Sequence, residues 1–300
     1  MLRSLCRSGI SILAATLLVV VAALGQAERA AAAPGDLIAE VLTPEGNSLL
    51  WPRAISPSVG FDGHYLYYVE YAGSVLHRID VPPAGGSTPA TGIVDTVISG
   101  AASGIMSIAY DRGRDLFWAV GGDGLSVYTL TKAGVATLVY RVDPVADRPG
   151  FQVKMYPAEI KVAYDASDDT IWYSPDATAR IYHYLVTPDL MGTAALAPTP
   201  YIDVDMTTEC GYSQSSGVAV GGADLFVSIA GCPRYFEFTK TGAKVGSSPM
   251  TLPSAGDLEC DDVSYGVSVV WVKDEWSGRI QAYEQPSANA CGVGGAASTR

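Results

Sequence analysis

Three sequence landmarks recur five times along the chain, and this repetition constrains the fold more than any other feature. The first is a triplet of a large apolar, a small and a large apolar residue: Val59-Gly60-Phe61, Ile108-Ala109-Tyr110, Val162-Ala163-Tyr164, Val218-Ala219-Val220 and Val263-Ser264-Tyr265. The second is an aromatic residue six to eight positions later: Tyr67, Phe117, Trp172, Phe226 and Trp271. The third is an apolar pair that begins nine or ten positions further on: Leu76 and Ile79, Val127 and Leu130, Ile181 and Tyr184, Tyr235 and Phe238, Ile280 and Tyr283. The constant order predicts one repeated structural unit.

Short strands joined by tight turns explain the spacing within each unit. The landmarks predict three strands, and runs such as Ile93 to Ile98 and Val135 to Val142 supply a fourth. Four antiparallel strands in about 50 residues describe a β-propeller blade. The small residue of each triplet suits the innermost strand, where blades crowd around the axis. The sequence therefore predicts an all-β fold, a single β-propeller with five four-stranded blades counted and room for a sixth.

The propeller is predicted to span residues 34–285. Leu37 to Leu42 resembles a lone strand before the first unit, and the fifth unit ends near Gln285. The Gly-, Ala- and Ser-rich residues 286–300 are predicted to be a flexible C-terminal tail. We expect the N-terminal strand to complete the last blade and close the ring, because closure removes exposed sheet edges.

Residues 1–33 have the three-part pattern of a secretory signal peptide. Two arginines precede the apolar run Ile10 to Leu24, and small residues follow it up to Ala33. An uncleaved N-terminal anchor is the alternative. The pattern predicts a secreted or extracytoplasmic protein, and no later segment is apolar enough to span a membrane.

Four cysteines follow the predicted leader: Cys210, Cys232, Cys260 and Cys291. An even number in an exported chain predicts two disulfides, with three connectivities open. Their spacing matches no zinc motif. Free buried thiols, or a metal-binding or catalytic thiol, are the alternatives.

The net charge of −12 argues against nucleic acid as a partner. Phosphates need a basic surface, which this acidic chain lacks. The expected partner is therefore a small molecule, a glycan or an extracytoplasmic protein. The protein itself is expected to be a monomer.

The amino-acid sequences of the units resemble those of a known group of propellers. Ile108-Ala-Tyr-Asp-Arg-Gly-Arg-Asp-Leu-Phe-Trp-Ala-Val and Val162-Ala-Tyr-Asp-Ala-Ser-Asp-Asp-Thr-Ile-Trp-Tyr-Ser are similar to repeats of the NHL-repeat, gluconolactonase/regucalcin and virginiamycin B lyase group. The resemblance covers nearly the whole chain after the leader and implies a propeller, usually of six blades. In the lactonase branch, Glu, Asn and Asp side chains hold a divalent metal at the channel mouth. The lyase branch needs a histidine base near a metal.

The chain departs from both branches in its site residues. Its two asparagines, Asn47 and Asn289, lie outside the repeat units. His64 falls in a first turn, while His77 and His183 lie on third strands. Neither the lactonase metal set nor the lyase base is therefore transferred intact by the resemblance.

Acidic side chains gather on one predicted face, formed by the loops that lead into the innermost strands and the loops between second and third strands. On this loop face lie Glu70, Asp123, Glu159, Asp176, Glu209, Glu259, Asp261, Asp262, Asp274 and Glu275, with Trp276 beside them. Glu159 and Asp262 are the predicted metal ligands, because each precedes an innermost-strand triplet by at most three residues. Oxygen-rich clusters suit Ca²⁺ or another divalent metal. Solvated loop carboxylates are the alternative reading.

Charged residues also recur at fixed points of the units. The residues just before the third strands of units three to five are Arg180, Arg234 and Arg279. They are expected either to pair with carboxylates or to bind an anion. The residues directly after the first three triplets are Asp62, Asp111 and Asp165, which are predicted to hold the first turns.

Two function classes follow from these observations. The expected one is a secreted, non-catalytic propeller that binds a ligand or protein through its loop face, with a structural Ca²⁺ as an option. The alternative is a metal-dependent hydrolase or lyase resembling the gluconolactonase group, with a carboxylate metal site at the channel mouth. No catalytic residue is identified.

Overall fold

The strands form five blades in the computed structural model, which describes residues 33, 35–44, 58–142, 160–175, 178–285 and 290–292. Blade 1 contains β2 Gly60–Phe61, β3 Tyr65–Val69, β4 Val75–Asp80 and β6 Val94–Val97. Blade 2 contains β7 Ile105–Asp111, β8 Leu116–Gly121, β9 Ser126–Thr131 and β10 Ala136–Arg141. Blade 3 contains β11 Lys161–Asp165, β12 Thr170–Ser174, β13 Arg180–Leu185 and β14 Leu196–Asp203. Blade 4 contains β15 Val218–Gly221, β16 Asp224–Ser228, β17 Arg234–Thr239 and β18 Lys244–Pro249, after the single helical turn α1 Thr207–Cys210.

Blade 5 combines strands from three parts of the chain. Its members, from the inside outward, are β19 Ala255–Asp261, β20 Val269–Asp274, β21 Arg279–Glu284, β1 Leu37–Leu42 and β5 Ser87–Pro89. The N-terminal strand β1 pairs antiparallel with β21, which confirms the predicted closure. The unpredicted strand β5 leaves blade 1 to pair in parallel with β1, so β1 is held on both edges.

The hydrophobic core lies between blades. Five apolar clusters occur among the described residues, and each joins two adjacent blades. One of them packs Trp271 and Ile280 of blade 5 against Leu66 and Tyr68 of blade 1. Because a cluster also spans this last junction, the five blades form a closed ring with no open end. The all-β, five-bladed propeller prediction is confirmed.

The small residues of the innermost strands serve packing. A Cβ atom added to Gly60 would lie 3.3 Å from side-chain atoms of both Ile108 and Phe117 in blade 2. Most neighbouring atoms in real structures do not approach a Cβ this closely, so a larger residue would press on the next blade. The predicted reason for a small residue here is therefore correct.

The predicted turn aspartates hold the turn after each innermost strand. Asp62 accepts the backbone N–H groups of His64 and Tyr65 at 2.9 and 2.8 Å. Asp111 does the same for Gly113 and Arg114 at 2.9 and 3.0 Å. Asp165 accepts the N–H of Ser167 at 3.1 Å. An aspartate at this point thus marks the end of an innermost strand.

The structure corrects the register of the fifth unit. Val263-Ser264-Tyr265 lies in the turn between β19 and β20, whereas the innermost strand is Ala255–Asp261. Asp261 accepts the Val263 and Ser264 N–H groups at 2.8 and 3.0 Å, as the turn aspartates of other blades do. The equivalent triplet is therefore Leu258-Glu259-Cys260, in which Glu259 occupies the position of the small residue.

Candidate ligand-binding site at the channel mouth

A pocket opens at one mouth of the central channel. It lies on the turn face, formed by the turns between first and second strands, and has a cavity volume of about 110 Å³. Five of its lining residues come from corresponding positions of the five innermost strands: Phe61, Tyr110, Tyr164, Val220 and Cys260. The floor of the pocket is therefore the ring where the innermost strands end.

Backbone N–H groups of the innermost strands point into the channel, because no further strand pairs with this edge. The N–H of Val59 donates to Asp257 Oδ2 at 3.2 Å, and the N–H of Val162 donates to Ser107 Oγ at 3.1 Å. Successive N–H groups of a strand alternate between its two edges. The next channel-facing donors belong to the five floor residues of the pocket, which form a ring of N–H groups.

Glu259 places a carboxyl group in this N–H ring. It accepts hydrogen bonds from the backbone of Phe61 and Tyr110, and Oε1 accepts the N–H of Cys260 at 3.0 Å. Burial raises the pKa of Glu259 to about 8, nearby Asp257 adds to the increase, and the N–H donors oppose it. Near neutral pH the carboxyl group is mainly protonated, so it offers the pocket a hydrogen-bond donor.

Asp257 occupies the channel one step below Glu259. Its side chain is fully buried and accepts the backbone N–H groups of Val59, Val218 and Leu258. Burial raises its pKa well above the ordinary value, against the attraction of the buried Lys161. Two carboxyl groups from one strand of blade 5 thus bind channel-facing N–H donors of several blades.

Two donors of the ring, those of Tyr164 and Val220, are not among the contacts of Glu259. The N–H groups of Val162 and Val218 face the channel. Tyr164 and Val220 follow them by two residues on the same strands, so their N–H groups face the channel as well. Among the described residues no side chain accepts either N–H. Arg112 stands at the rim with its side chain 61% exposed, and its Nη2 lies 3.8 Å from Asp262 Oδ1. The pocket thus offers two backbone donors from blades 3 and 4, and the guanidinium of Arg112 at the rim beside blade 5.

The predicted binding-face residues that the structure describes each have their own local contacts. Asp123 caps a turn through the N–H groups of Leu125 and Ser126, at 3.0 and 2.9 Å. Glu209 lies in α1 and pairs with Lys244. The remaining described loop-face members are Glu70, Asp274 and Glu275, beside Trp276, which is 40% exposed. Glu275 is buried and accepts the Ser254 hydroxyl at 2.6 Å. Asp274 is buried and accepts the Ser277 hydroxyl.

Three predicted positions, Glu259, Asp261 and Asp262, are not on the loop face, and two others lie outside the described residues. Glu259 lies inside the channel and Asp262 follows β19 on the turn face, because the fifth unit is shifted in register. Glu159 and Asp176 lie outside the described residues. Within the described ranges, no three His, Cys, Asp or Glu side chains form a group able to hold a metal ion.

The arginines before the third strands have partners on neighbouring strands. Arg180 Nε donates to Asp203 Oδ1 at 2.7 Å and Arg279 Nε to Glu40 Oε2 at 2.8 Å. Arg234 Nη2 donates to Ser247 Oγ at 2.9 Å. These contacts favour the ion-pair reading for Arg180 and Arg279 over anion binding.

Both predicted disulfides are present, and one borders the pocket. Cys210 bonds to Cys232, and Cys260 bonds to Cys291. The second bond ties Cys291 to the innermost strand of blade 5 and makes it part of the pocket wall. No helix in the described part of the chain is long and apolar enough to cross a membrane.

Asp257, Lys161 and the N–H ring were not predicted from the sequence. A signal for the first was present, because Asp257 and Glu259 alternate along one strand and end at a turn aspartate, Asp261. Aligning Asp261 with Asp62 and Asp111 would have placed both carboxyl groups on an innermost strand. The ring itself has no signal in the sequence, because backbone groups of five distant segments form it.

Among the comparisons with known proteins, the similarity with a TM-score of 0.50 supports the fold. No protein-family model matches the chain, and no curated protein matches it either. Glutaminyl cyclase from Myxococcus xanthus is similar in structure with a TM-score of 0.50 and 10% identity, over 82% of this chain and 97% of that one. A luciferin-regenerating enzyme has a TM-score of 0.46 and 10% identity, with 82% and 96% covered. For virginiamycin B lyase from Staphylococcus aureus the TM-score is 0.39 at 14% identity, over 73% of this chain and 62% of the lyase.

Proposed function

We propose that the protein is a secreted propeller that binds a small ligand, without catalysis, in the turn-face pocket. The observation that carries the proposal is the pocket itself, with the carboxyl group of Glu259 in its floor among channel-facing N–H groups. A concave site with a few convergent polar groups is the usual form of a small-molecule site. Two disulfides fit an oxidising compartment, which supports secretion.

Blocking the pocket tests this proposal. Ala166 lies in an exposed turn and lines the pocket, so Ala166→Trp fills the mouth without disturbing the core. Ala243→Trp is the matched control, because Ala243 is exposed in a turn of blade 4 outside the pocket. A library of small acids, amines, sugars and lactones is screened by thermal unfolding. Compounds that raise the midpoint of the native protein and of Ala243→Trp, but not of Ala166→Trp, support the proposal.

If no compound shows this difference, the binding proposal fails. Compounds that stabilise all three proteins equally bind elsewhere and count against the pocket. The loop face, predicted from sequence as the binding surface, then becomes the surface to map.

A metal-dependent hydrolase or lyase is the second candidate, and one observation favours it. The raised pKa of Glu259 lies close to neutral pH, as a group that transfers protons requires. Turnover of lactones and esters, measured with and without divalent metals for the native protein and Glu259→Gln, tests this role. Turnover that Glu259→Gln abolishes would replace the binding proposal, whereas no turnover leaves the enzyme candidate without support.

A further inference from the structure

We propose that the pocket takes a small carboxylate, bound by the backbone N–H groups of Tyr164 and Val220 and by the guanidinium of Arg112. This inference names the ligand class of the proposed binding function and rests on it. The other ligand classes, organic cations and neutral molecules, are outcomes of the test.

The N–H ring already binds one carboxyl group. Glu259 accepts three of the five floor donors, those of Phe61, Tyr110 and Cys260. The two remaining donors belong to blades 3 and 4, which are adjacent in the ring. Two neighbouring N–H groups match the two oxygens of a carboxylate, and such charge-assisted hydrogen bonds are stronger than neutral ones.

The aspartates that line the pocket have cationic neighbours, whereas the two backbone N–H donors do not have a side-chain acceptor in the described part of the chain. Asp165 lines the pocket, but its carboxylate lies 2.5 Å from Lys240 Nζ in the next blade. Asp262 Oδ1 faces the exposed guanidinium of Arg112 at 3.8 Å, so its charge also has a cationic neighbour. With Glu259 mainly protonated, no unpaired negative charge on these lining residues repels a bound anion.

The pocket is large enough for a small carboxylate. Its volume of about 110 Å³ is several times the roughly 10–15 Å³ that one water molecule needs by the same kind of measure. Acetate and propionate are therefore small enough to enter, and because the pocket opens at the channel mouth, a longer ligand can extend into solvent.

Isothermal titration with acetate and propionate tests the proposal, with methyl acetate as the neutral analogue and tetramethylammonium as the cation. Arg112→Leu removes the guanidinium, and Arg141→Leu is the matched control. Arg141 is similarly exposed (58%) and pairs with Asp123 outside the pocket. We expect acetate to bind the native protein and Arg141→Leu alike, and Arg112→Leu about tenfold or more weakly, as for a lost charge-assisted hydrogen bond.

Backbone amide resonances locate the bound carboxylate. Acetate should shift the amide proton signals of Tyr164 and Val220 and leave those of Val59 and Val162 unchanged, since the latter donate to Asp257 and Ser107. Binding of tetramethylammonium or methyl acetate in the pocket, but not of acetate, would overturn this inference and keep the proposed function. Acetate binding unaffected by Arg112→Leu, without the two amide shifts, would also overturn it. If neither these compounds nor the wider library binds at the pocket, both proposals fall.

Discussion

The ammonium group of Lys132 in blade 2 lies 2.8 Å from the buried carboxylate of Asp62 in blade 1. Lys240 of blade 4 reaches Asp165 of blade 3 in the same way, at 2.5 Å. In both cases a lysine from the turn between third and fourth strands holds the turn aspartate of the preceding blade. These contacts join neighbouring blades at the turn face, close to the pocket.

Removing the lysine should weaken the junction between blades. Lys132→Met leaves Asp62 buried with only backbone and tyrosine donors, so we expect a loss of about 1–3 kcal/mol in the free energy of unfolding. Lys244→Met is the control, because Lys244 is equally exposed but its partner Glu209 is much less buried than Asp62. That change should cost less than about 1 kcal/mol. Urea denaturation at pH 7 compares them, and equal losses would contradict the interpretation.

The same pair should make stability depend on acid pH. Burial raises the pKa of Asp62, but hydrogen bonds from Lys132, Tyr65 and His64 outweigh it, so the pKa lies below its ordinary value. The folded state therefore favours the ionised form. This stabilisation is complete above the unfolded pKa of about 3.9 and disappears as the pH falls through the folded pKa. Denaturation measured from pH 6 to pH 2 should show the free energy of unfolding of the native protein falling to that of Lys132→Met. A difference between the two that stays constant over this range would refute the prediction.

Glu259 should have the opposite effect in a higher pH range. Its pKa rises on folding to about 8, so ionisation destabilises the folded state between the unfolded pKa of about 4.3 and that value. Relative to Glu259→Gln, the native protein should lose up to a few kcal/mol from pH 5 to pH 8. The other groups facing this region, Asp257, Lys161, Arg112 and Asp262, are present in both proteins, and because Asp257 is coupled to Glu259, the difference between the two profiles reports Glu259 together with that coupling. Parallel pH profiles would show that Glu259 does not titrate in this range.

The two disulfides should contribute similar stability but differ in their effect on the pocket. They close segments of similar length, with separations of 22 and 31 residues, so replacing either pair by serine should cost about 3–4 kcal/mol. Only the replacement of Cys260 and Cys291 detaches a pocket-lining residue, Cys291, from the innermost strand of blade 5. Only that variant should therefore bind acetate more weakly. Calorimetric titration of both variants measures this, and equal affinities would exclude Cys291 from the site.

The predicted metal site calls for a separate measurement. If Glu159 and Asp262 bind Ca²⁺, adding Ca²⁺ to metal-free protein should raise the unfolding midpoint by several degrees. Glu159→Gln and Asp262→Asn should each abolish the rise, while Glu70→Gln on the loop face should retain it. Mg²⁺, Mn²⁺ and Zn²⁺ are tested alongside. A midpoint that no metal changes would remove the carboxylate metal site from consideration.

Much of the fold could be predicted because each blade repeats the same packing problem. Aromatic residues such as Trp172 and Trp271 must fill the space between blades, and their spacing fixes the second strands. The assignment of the fifth triplet to an innermost strand was wrong, because Val263-Ser264-Tyr265 has the same apolar pattern but lies in a longer turn. The site was harder to predict, since Glu259 gains its role from N–H groups that only the closed ring brings together.

Blade 5 has a consequence for the order in which the chain can be made and folded. Its outer strands β1 and β5 belong to the start of the described chain, whereas β19 to β21 come near the end. During synthesis or export from the N-terminus, the early strands emerge long before their partner β21. β1 and β5 can pair with each other early, but the edge of β1 that pairs with β21 must stay open over that interval, and an open edge invites association with other chains. A chain that stops before β21 should therefore aggregate rather than form a smaller ring.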